Sequence, residues 1–304
     1  MGEAAGGAGA THPASPIPHP DSPLPAIDRT PKLFIGGKQV RPDQAYSRRI
    51  VGPDGRLVGE VGEGNRKDIR NAVEAAHAGA GWAQATGHNR AQVLYYIAEN
   101  LAPRSAEFAA RIDAMTGVGP EAARREVDAA IARLFTYAAW ADKWDGAVHH
   151  TPVRGVTLAM NEPIGVVGVV CPADHPLLGF VSLVAPLVAT GNTVVAIPSE
   201  PAPLAATDLY SVFETSDLPA GVVNIVTGAN DALAKVLAEH LDVDGVWYFG
   251  GTAGKAVEAA SAGNMKRTWV DLHRRDWLDA RQGEGREFLR RATQVKNIWI
   301  PYGE

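Results

Sequence analysis

The sequence predicts an α/β fold: a Rossmann-like, doubly wound parallel sheet with an N-terminal helical region and a C-terminal oligomerisation strand. Short, nearly continuous apolar runs recur in the second half, at IGVVGVV (164–170), TVVAI (193–197), VVNIV (222–226), DGVWYF (244–249) and KRTWVDL (266–272). Helical stretches separate them, namely LLGFVSLVAPLVAT, LAATDLYSVFET, DALAKVLAEH and GKAVEAASAG. Apolar strands that alternate with helices indicate a parallel sheet covered on both faces.

The elements before this sheet follow from local patterns. KLFIGG predicts a short strand that ends in a Gly36-Gly37 turn. Apolar residues three and four apart then predict three helices, in KDIRNAVEAAHAGA, NRAQVLYYIAENLA and PEAARREVDAAIARLFTYAAWADKW. Pro120 suits the first turn of the third helix.

The two ends of the chain differ from the middle. Residues 1–31 are rich in proline, glycine and alanine, and we expect this tail to be disordered. REFLRRATQ predicts a helix and VKNIWIP (295–301) a final strand. We therefore expect a tail (1–31), a dinucleotide-binding-type domain with its helices (32–272), and a C-terminal linker, helix and pairing strand (273–304).

Composition narrows the classes of function. The 304 residues carry a formal net charge of -5, which argues against a nucleic-acid or anionic-membrane surface. No apolar run is long enough to cross a bilayer, and the first residues have no basic region typical of a secretory signal. A single cysteine excludes an internal disulfide and is typical of the reducing cytoplasm, where we expect the protein.

The stretch VVCPADHPLL holds that cysteine, Cys171, close to Asp174 and His175. A catalytic cluster is one interpretation. The other is packing, because a lone cysteine at a strand end is more often a small buried hydrophobe, and Asp174-His175 suits a turn into a helix. His149-His150 has no second ligand cluster, so we expect no metal site.

Three strand ends could serve a nucleotide. They are marked by Pro172, by Ser199-Glu200 and by the Gly250-Gly251 turn that opens a helix. GGTAGK has one residue too few between its outer glycines for a P-loop and is not a dinucleotide fingerprint. A phosphate site and a plain strand-to-helix turn are therefore equally compatible with it. Near the end of the chain, Trp269, Trp277 and Trp299 fit a partner surface or core packing equally well, and HRRDWLDAR indicates a mixed-charge surface.

From Leu33 to Val270 the ordered segments resemble the aldehyde dehydrogenase superfamily. The resemblance is carried by FIGGKQV, MTGVGPEAARREVDAAIARLFTYAAWADKWDG, NEPIGVVGVVCPADHPLLGFVSLVAPLVATGNTVVAIPSE, LPAGVVNIVTG and NMKRTWVDL. It implies a cysteine thiolate that attacks an aldehyde, an asparagine and a backbone N–H that hold the oxyanion, hydride transfer to NAD or NADP, and a glutamate that activates water.

Several positions that match the family's motifs depart from it. Asp174 stands where the resemblance implies the oxyanion asparagine, and loss of one such donor typically costs about a hundred- to a thousand-fold in rate. Ile197 replaces the expected ribose-binding lysine, while Glu200 is kept. Gly251 aligns with a pyrophosphate-contacting serine, and Asp271 with the water-activating glutamate. No cysteine follows Cys171 in the sequence.

These departures resemble the degenerate C-terminal half of the fused family-16 aldehyde dehydrogenases, which implies that the catalytic domain is missing. The ending ATQVKNIWIPYGE resembles a family tail whose strand pairs with another subunit. We therefore expect a pseudoenzyme that binds a full-length aldehyde dehydrogenase or its own copy through 295–301, with NAD or NADP binding weakened or lost. The alternatives are an NAD(P)-dependent aldehyde oxidoreductase, active alone or only in complex, and a nucleotide-binding regulatory module.

Overall fold

The computed structural model describes residues 31–152 and 154–302. The disorder expected for the tail therefore concerns residues that, but for Pro31, lie outside the described ones. The described strands are β1 (Leu33–Ile35), β2 (Lys38–Val40), β3 (Ser47–Val51), β4 (Leu57–Gly62), β5 (Gly146–His149), β6 (Gly155–Pro163), β7 (Val166–Val170), β8 (Thr193–Ile197), β9 (Val223–Ile225), β10 (Gly245–Tyr248), β11 (Arg267–Val270) and β12 (Thr293–Pro301).

The helices cover most of the intervening chain. The α-helices are α1 (Arg66–Ala78), α2 (Gly87–Leu101), α3 (Ser105–Thr116), α4 (Pro120–Trp140), α5 (Leu178–Ala189), α6 (Leu204–Glu214), α7 (Asn230–Glu239), α8 (Gly254–Ser261), α9 (Ala280–Gly283) and α10 (Arg286–Arg291). Helix α4 begins at Pro120, as predicted. Gly117 caps the C-terminus of α3, and its φ of 68° is the left-handed conformation that glycine adopts without strain. None of the described helices is long and apolar enough to cross a membrane.

The central sheet has seven strands in the order β11-β10-β7-β8-β9-β1-β2. Strands β11 through β9 run parallel, and this confirms the predicted Rossmann-like sheet. β1 and β2 add an antiparallel hairpin beside β9. The parallel strands β7 to β10 are buried on both faces because one apolar cluster packs α2 to α6 and α10 against the sheet and a second packs α1, α7 and α8 on the other side.

A separate three-stranded sheet has the order β12-β6-β5. β12 pairs antiparallel with β6 along its whole length, from Thr293↔Pro163 to Pro301↔Gly155. The predicted strand 295–301 thus lies within β12, on an edge of this sheet. Strands β3 and β4 form a further hairpin. Neither β3 and β4 nor β5 and β6 are predicted from the sequence, because their apolar residues are few and alternate with exposed ones.

The three tryptophans near the end of the chain separate into two environments. Trp269 and Trp277 are buried and belong to the apolar cluster around α10, so for them core packing is the correct interpretation. Trp299 is 62% exposed on β12, so for this residue the partner surface stays a prediction. The HRRDWLDAR segment is accordingly not a simple surface, since it contains the buried Trp277.

Candidate functional site

The carboxyl ends of β7, β8 and β10 meet at one edge of the parallel sheet, where doubly wound folds bind their ligands. Pro172 follows β7, Ser199 and Glu200 follow β8, and Gly250 follows β10. The structure brings them together. Gly250 is required here because a Cβ at this position would collide with the carbonyl oxygen of Cys171.

Cys171 itself is a packing residue. Its side chain is buried, and its backbone N–H donates to the carbonyl oxygen of Ile197 at 2.9 Å. Burial raises the pKa of the Cys171 thiol well above its ordinary value. Because the thiolate is the nucleophilic form, this cysteine is not poised for covalent catalysis.

The end of β8 is engaged by the chain's own groups. The Ser199 hydroxyl is buried and donates to the carbonyl oxygen of Ala173 at 2.9 Å. Oε2 of Glu200 accepts the backbone N–H of Asn230 at 2.8 Å, at the start of α7. The Ile197 side chain is fully buried in the apolar cluster beneath α1 and α7. It therefore does not reach this edge, where the resemblance implies a ribose-binding lysine.

The turn after β10 is also held by hydrogen bonds within the chain. The hydroxyl of Tyr248 donates to Oδ1 of Asp231 at 2.5 Å and accepts the backbone N–H of Ala253, at the start of α8, at 2.9 Å. Gly251 has a φ of 78°, and a Cβ there would collide with the Asp231 carboxylate. The two glycines therefore allow close approach of Asp231, Tyr248 and Cys171, which are groups of the same chain.

The start of α5 is contacted by a carboxylate from another helix of the same chain. Oε1 of Glu126, on α4, accepts the backbone N–H groups of Leu177 and Leu178 at 2.9 and 3.2 Å, where α5 begins. Burial raises the pKa of Glu126, while these two N–H groups oppose that rise. Helices α5, α7 and α8 all begin at this edge, the ligand edge of the sheet. At each start one or two backbone N–H groups have a partner within the chain, namely Glu126 at α5, Glu200 at α7 and the Tyr248 hydroxyl at α8.

Asp174 and His175 lie beside this edge, in a recess of about 390 Å³ that Arg274, Asp276 and Gln282 also line. Oδ2 of Asp174 is 3.9 Å from Nδ1 of His175 and 4.0 Å from Nε of Arg274. The interaction with His175 lowers the pKa of the Asp174 carboxyl and raises the pKa of the imidazole. Asp174 is therefore an anion at neutral pH and has no hydrogen to donate to an oxyanion.

Asp271, just beyond β11, is locked in an ion pair. Its Oδ2 accepts from Nη2 and Nε of Arg275 at 2.6 and 2.7 Å, and its Oδ1 accepts the backbone N–H of His273 at 2.9 Å. The Arg275 guanidinium lies 5.3 Å from the Trp269 ring and 5.6 Å from the rings of Phe249 and Phe288. Both oxygens of this carboxylate are therefore engaged by donors of the same chain, which compete with any water for them.

Sequence reasoning located this edge but missed three residues that shape it, Glu126, Asp231 and Tyr248. Asp231 had a usable signal, because an acidic residue in the first turn of a helix favours the helix dipole. Glu126 and Tyr248 had none, since each acts on an element distant in the sequence. Among the described residues no cluster of three or more His, Cys, Asp or Glu side chains could hold a metal ion, and the exposed His149 lies on β5.

Comparison with known proteins gives a consistent match. The model of the aldehyde dehydrogenase family matches residues 42–273. An aldehyde dehydrogenase of Agaricus bisporus is 34% identical over 79% of this chain and 49% of its own length. Betaine aldehyde dehydrogenase of Bacillus subtilis is 33% identical over 79% of this chain and 50% of its own length.

Solved structures agree with these relatives. Betaine aldehyde dehydrogenase of Staphylococcus aureus in complex with NAD+ superposes with a TM-score of 0.75 at 28% identity, over 79% of this chain and 49% of that one. A putative aldehyde dehydrogenase of Burkholderia cenocepacia superposes with a TM-score of 0.77 at 30% identity, over 80% of this chain and 51% of that one. The chain spans about half the length of the relatives it matches.

Proposed function

This chain belongs to the aldehyde dehydrogenase family, and from that premise we propose that it is a catalytically inactive subunit that binds a full-length aldehyde dehydrogenase. The observation that carries the proposal is the ligand edge of the parallel sheet, whose reactive and ligand-binding positions are engaged by the chain's own side chains. The resemblance to the degenerate half of the fused family-16 enzymes supports the same conclusion. The single cysteine supports a reducing, cytoplasmic location.

Three residues support inactivity in aldehyde oxidation. Cys171 is buried and held as a thiol. Asp174 is a carboxylate where the resemblance implies a neutral donor, so it repels an oxyanion instead of stabilising it. Asp271 is bound by Arg275 where the resemblance implies a free general base.

The same edge supports weakened or lost binding of NAD or NADP. A phosphate group favours the positive end of a helix with free N–H groups. At α7 and α8 the N–H groups of Asn230 and Ala253 already have partners, and a phosphate at α8 would also meet the negative charge of Asp231. The residues present therefore do not fit a dinucleotide without rearrangement of Asp231 and Glu200.

The partner interaction rests on the free edge of β12. Asn161 donates its backbone N–H to Asp145 on the β5 side, so the Val295↔Asn161 pair exchanges no hydrogen bonds. The backbone groups of Val295, Asn297 and Trp299 consequently point away from β6, toward the open edge. Such an edge can extend the sheet of another chain, and the exposed Val295 and Trp299 side chains add apolar contact.

Enzymology tests the inactive part of the proposal. The purified chain is mixed with a panel of aldehydes and NAD or NADP, and we expect no reduced nicotinamide absorbance. Steady turnover by the chain alone would reject the proposal in favour of an active oxidoreductase. If turnover is seen only after a full-length family member is added, its rate must be compared with the rate of that member alone. A higher rate for the mixture would assign an active role to the complex.

Calorimetry tests the cofactor edge. We expect no heat with millimolar NAD or NADP for the wild type and measurable binding for Asp231→Asn, which removes the competing charge and keeps the side-chain shape. Asp142→Asn is the matched control, because the exposed Asp142 follows the C-terminal end of α4, whereas Glu126 meets this edge near the other end of that helix. Tight binding by the wild type without turnover would favour the nucleotide-binding regulatory module.

A backbone substitution tests the partner edge. Asn297→Pro removes the outward N–H at the middle of β12 and leaves the pairs with β6 intact, because proline is tolerated where an edge strand faces outward. Asn297→Ala changes the same side chain but keeps the N–H. We expect capture of a full-length aldehyde dehydrogenase by the wild type and Asn297→Ala but not by Asn297→Pro. A chain that stays monomeric and captures no such enzyme would refute the proposal, and a stable homo-oligomer would favour self-association through 295–301.

A further inference from the structure

A recess of about 370 Å³ lies at the outer edge of the parallel sheet, beside β11, away from the ligand edge. Its lining consists of Trp247, Arg267, Thr268, Trp269, Arg290 and Arg291. Arg267 comes from the start of β11, and the other two arginines from the last turn of α10. Two separate elements therefore converge on one pocket with three positive charges, in a chain whose net charge is -5.

None of these three arginines has an acidic partner within the parts of the chain that the structure describes. The neighbouring Arg275, by contrast, is paired with Asp271 and lies 3.6 Å from Glu287. Placement of Arg290 and Arg291 near the C-terminal end of α10 is explained by the helix dipole. That explanation does not extend to Arg267, which lies on a strand.

Two of the guanidinium groups are held in place. Arg291 lies 5.2 Å from the centre of the Trp269 ring, and Arg267 donates from Nη1 to the carbonyl oxygen of Thr293 at 3.2 Å. Each of these groups has five N–H donors, so most remain available. Holding them in advance lowers the entropy lost when an anion binds.

The open edge of β11 adds an uncharged donor. The backbone N–H groups of Arg267 and Asp271 donate to β10 or its flanking residues, at Asp244 and Tyr248. Because backbone groups alternate along a parallel strand, those of Thr268 point away from β10. Thr268 lines the recess, where its outward backbone N–H complements the three guanidinium groups.

We propose that this recess binds the phosphate group of a small phosphorylated molecule. Guanidinium forks match phosphate oxygens in geometry, and a doubly charged group with three terminal oxygens suits three arginines better than a single carboxylate does. The recess is larger than an inorganic phosphate ion, and its volume lies within the usual range for small-molecule sites, roughly 300–1,000 Å³. The remaining space accommodates the organic part of the ligand against the edges of Trp247 and Trp269.

Calorimetry at low ionic strength tests this site with two probes, inorganic phosphate and glycerol 3-phosphate. We expect both to bind, with glycerol 3-phosphate the tighter if an organic phosphate is the ligand and equal affinities if free phosphate is. Arg267→Gln and Arg290→Gln should each weaken binding about tenfold or more, as expected for loss of a charged hydrogen-bond donor. Arg291→Lys keeps the charge but loses the fork and the stacking, so it should weaken binding as well.

Arg281→Gln is the matched control, because Arg281 is exposed and paired with Asp279. It should bind both probes like the wild type, and circular dichroism establishes that every variant is folded. The proposal is overturned if neither probe gives heat at millimolar concentration, if the folded Arg267 and Arg290 variants bind as well as the wild type, or if Arg281→Gln loses as much affinity as they do. None of these results depends on whether the chain binds a full-length aldehyde dehydrogenase.

Discussion

Replacement of Arg275 by methionine should strongly destabilise the fold, because it leaves the Asp271 carboxylate buried without its cation. The two side chains are only 14% and 10% exposed, and their closest contact is 2.6 Å. Methionine is close to arginine in length and can still pack on Trp269 and Phe288. The substitution therefore removes the charge and the donors while most of the packing is kept.

The expected loss follows from the burial of the pair. Breaking a buried ion pair at one partner costs about 3–5 kcal/mol. We expect about 3 kcal/mol here, because His273 still donates its backbone N–H to Asp271. For a folded region of this size that corresponds to a decrease of roughly 6–12 °C in the thermal midpoint.

Urea and thermal unfolding followed by circular dichroism measure this loss. Asp271→Leu combined with Arg275→Met has no unpaired charge, so the double variant should be more stable than Arg275→Met alone. Arg281→Met is the control, since it removes an exposed arginine six residues along the chain and should leave the midpoint unchanged. An Arg275→Met protein with a wild-type midpoint, or a double variant whose losses simply add, would refute the locked-carboxylate explanation of Asp271.

Three further predictions concern the ligand edge. Cys171 should react with a thiol reagent only as fast as the protein unfolds, because its thiol is buried and its pKa is raised; rapid labelling of the native protein would contradict this. Asp174 raises the pKa of His175, so the stability that His175 contributes is fully present below its unfolded pKa of about 6.5 and is lost as pH rises through the higher folded value. Unfolding measured from pH 5 to 9 should therefore show a decline that His175→Gln flattens, and equal slopes for both proteins would contradict it. Tyr248→Phe should cost about 1.5–3 kcal/mol in urea unfolding, because Asp231 and the N–H of Ala253 lose a common partner, and an unchanged midpoint would count against that contact.

The fold could be predicted where the sequence pattern reflects burial on both faces. The runs 164–170 and 193–197 are apolar throughout because β7 and β8 are central strands covered by helices. β6 could not be found in this way, because its residues alternate between buried and exposed and its partner β12 lies more than a hundred residues away. Long-range antiparallel pairing leaves little local signal.

The position of the candidate site could be predicted from the sequence, but the hydrogen-bond partners of its residues could not. Parallel strands end at one edge, so strand order alone placed Glu200 and Gly250 there. Their present partners could not be read from the sequence: Glu200 binds Asn230, which is 30 residues away, and Glu126 binds Leu177, which is 51 residues away. From the sequence, Asp271 could be identified only as a shorter replacement of a glutamate. The structure adds that the Arg275 guanidinium pairs with the Asp271 carboxylate and lies close to three aromatic rings.

In the proposed function, the internal partners of the Asn230 and Ala253 N–H groups compete with the phosphates of any dinucleotide. A carboxylate on the same chain competes for an N–H group at an effective concentration of millimolar or more, because it is already tethered nearby. A diffusing phosphate must exceed that value or bind with much greater intrinsic affinity, and at α8 it must also displace a hydrogen-bonded Asp231. The same competition does not act at β12, whose outward backbone groups at Val295, Asn297 and Trp299 meet no other strand of the described chain. Within the described chain, then, the N–H groups of Asn230 and Ala253 have internal partners, whereas the outward backbone groups of β12 pair with no other strand, and this difference supports the proposed association with another chain.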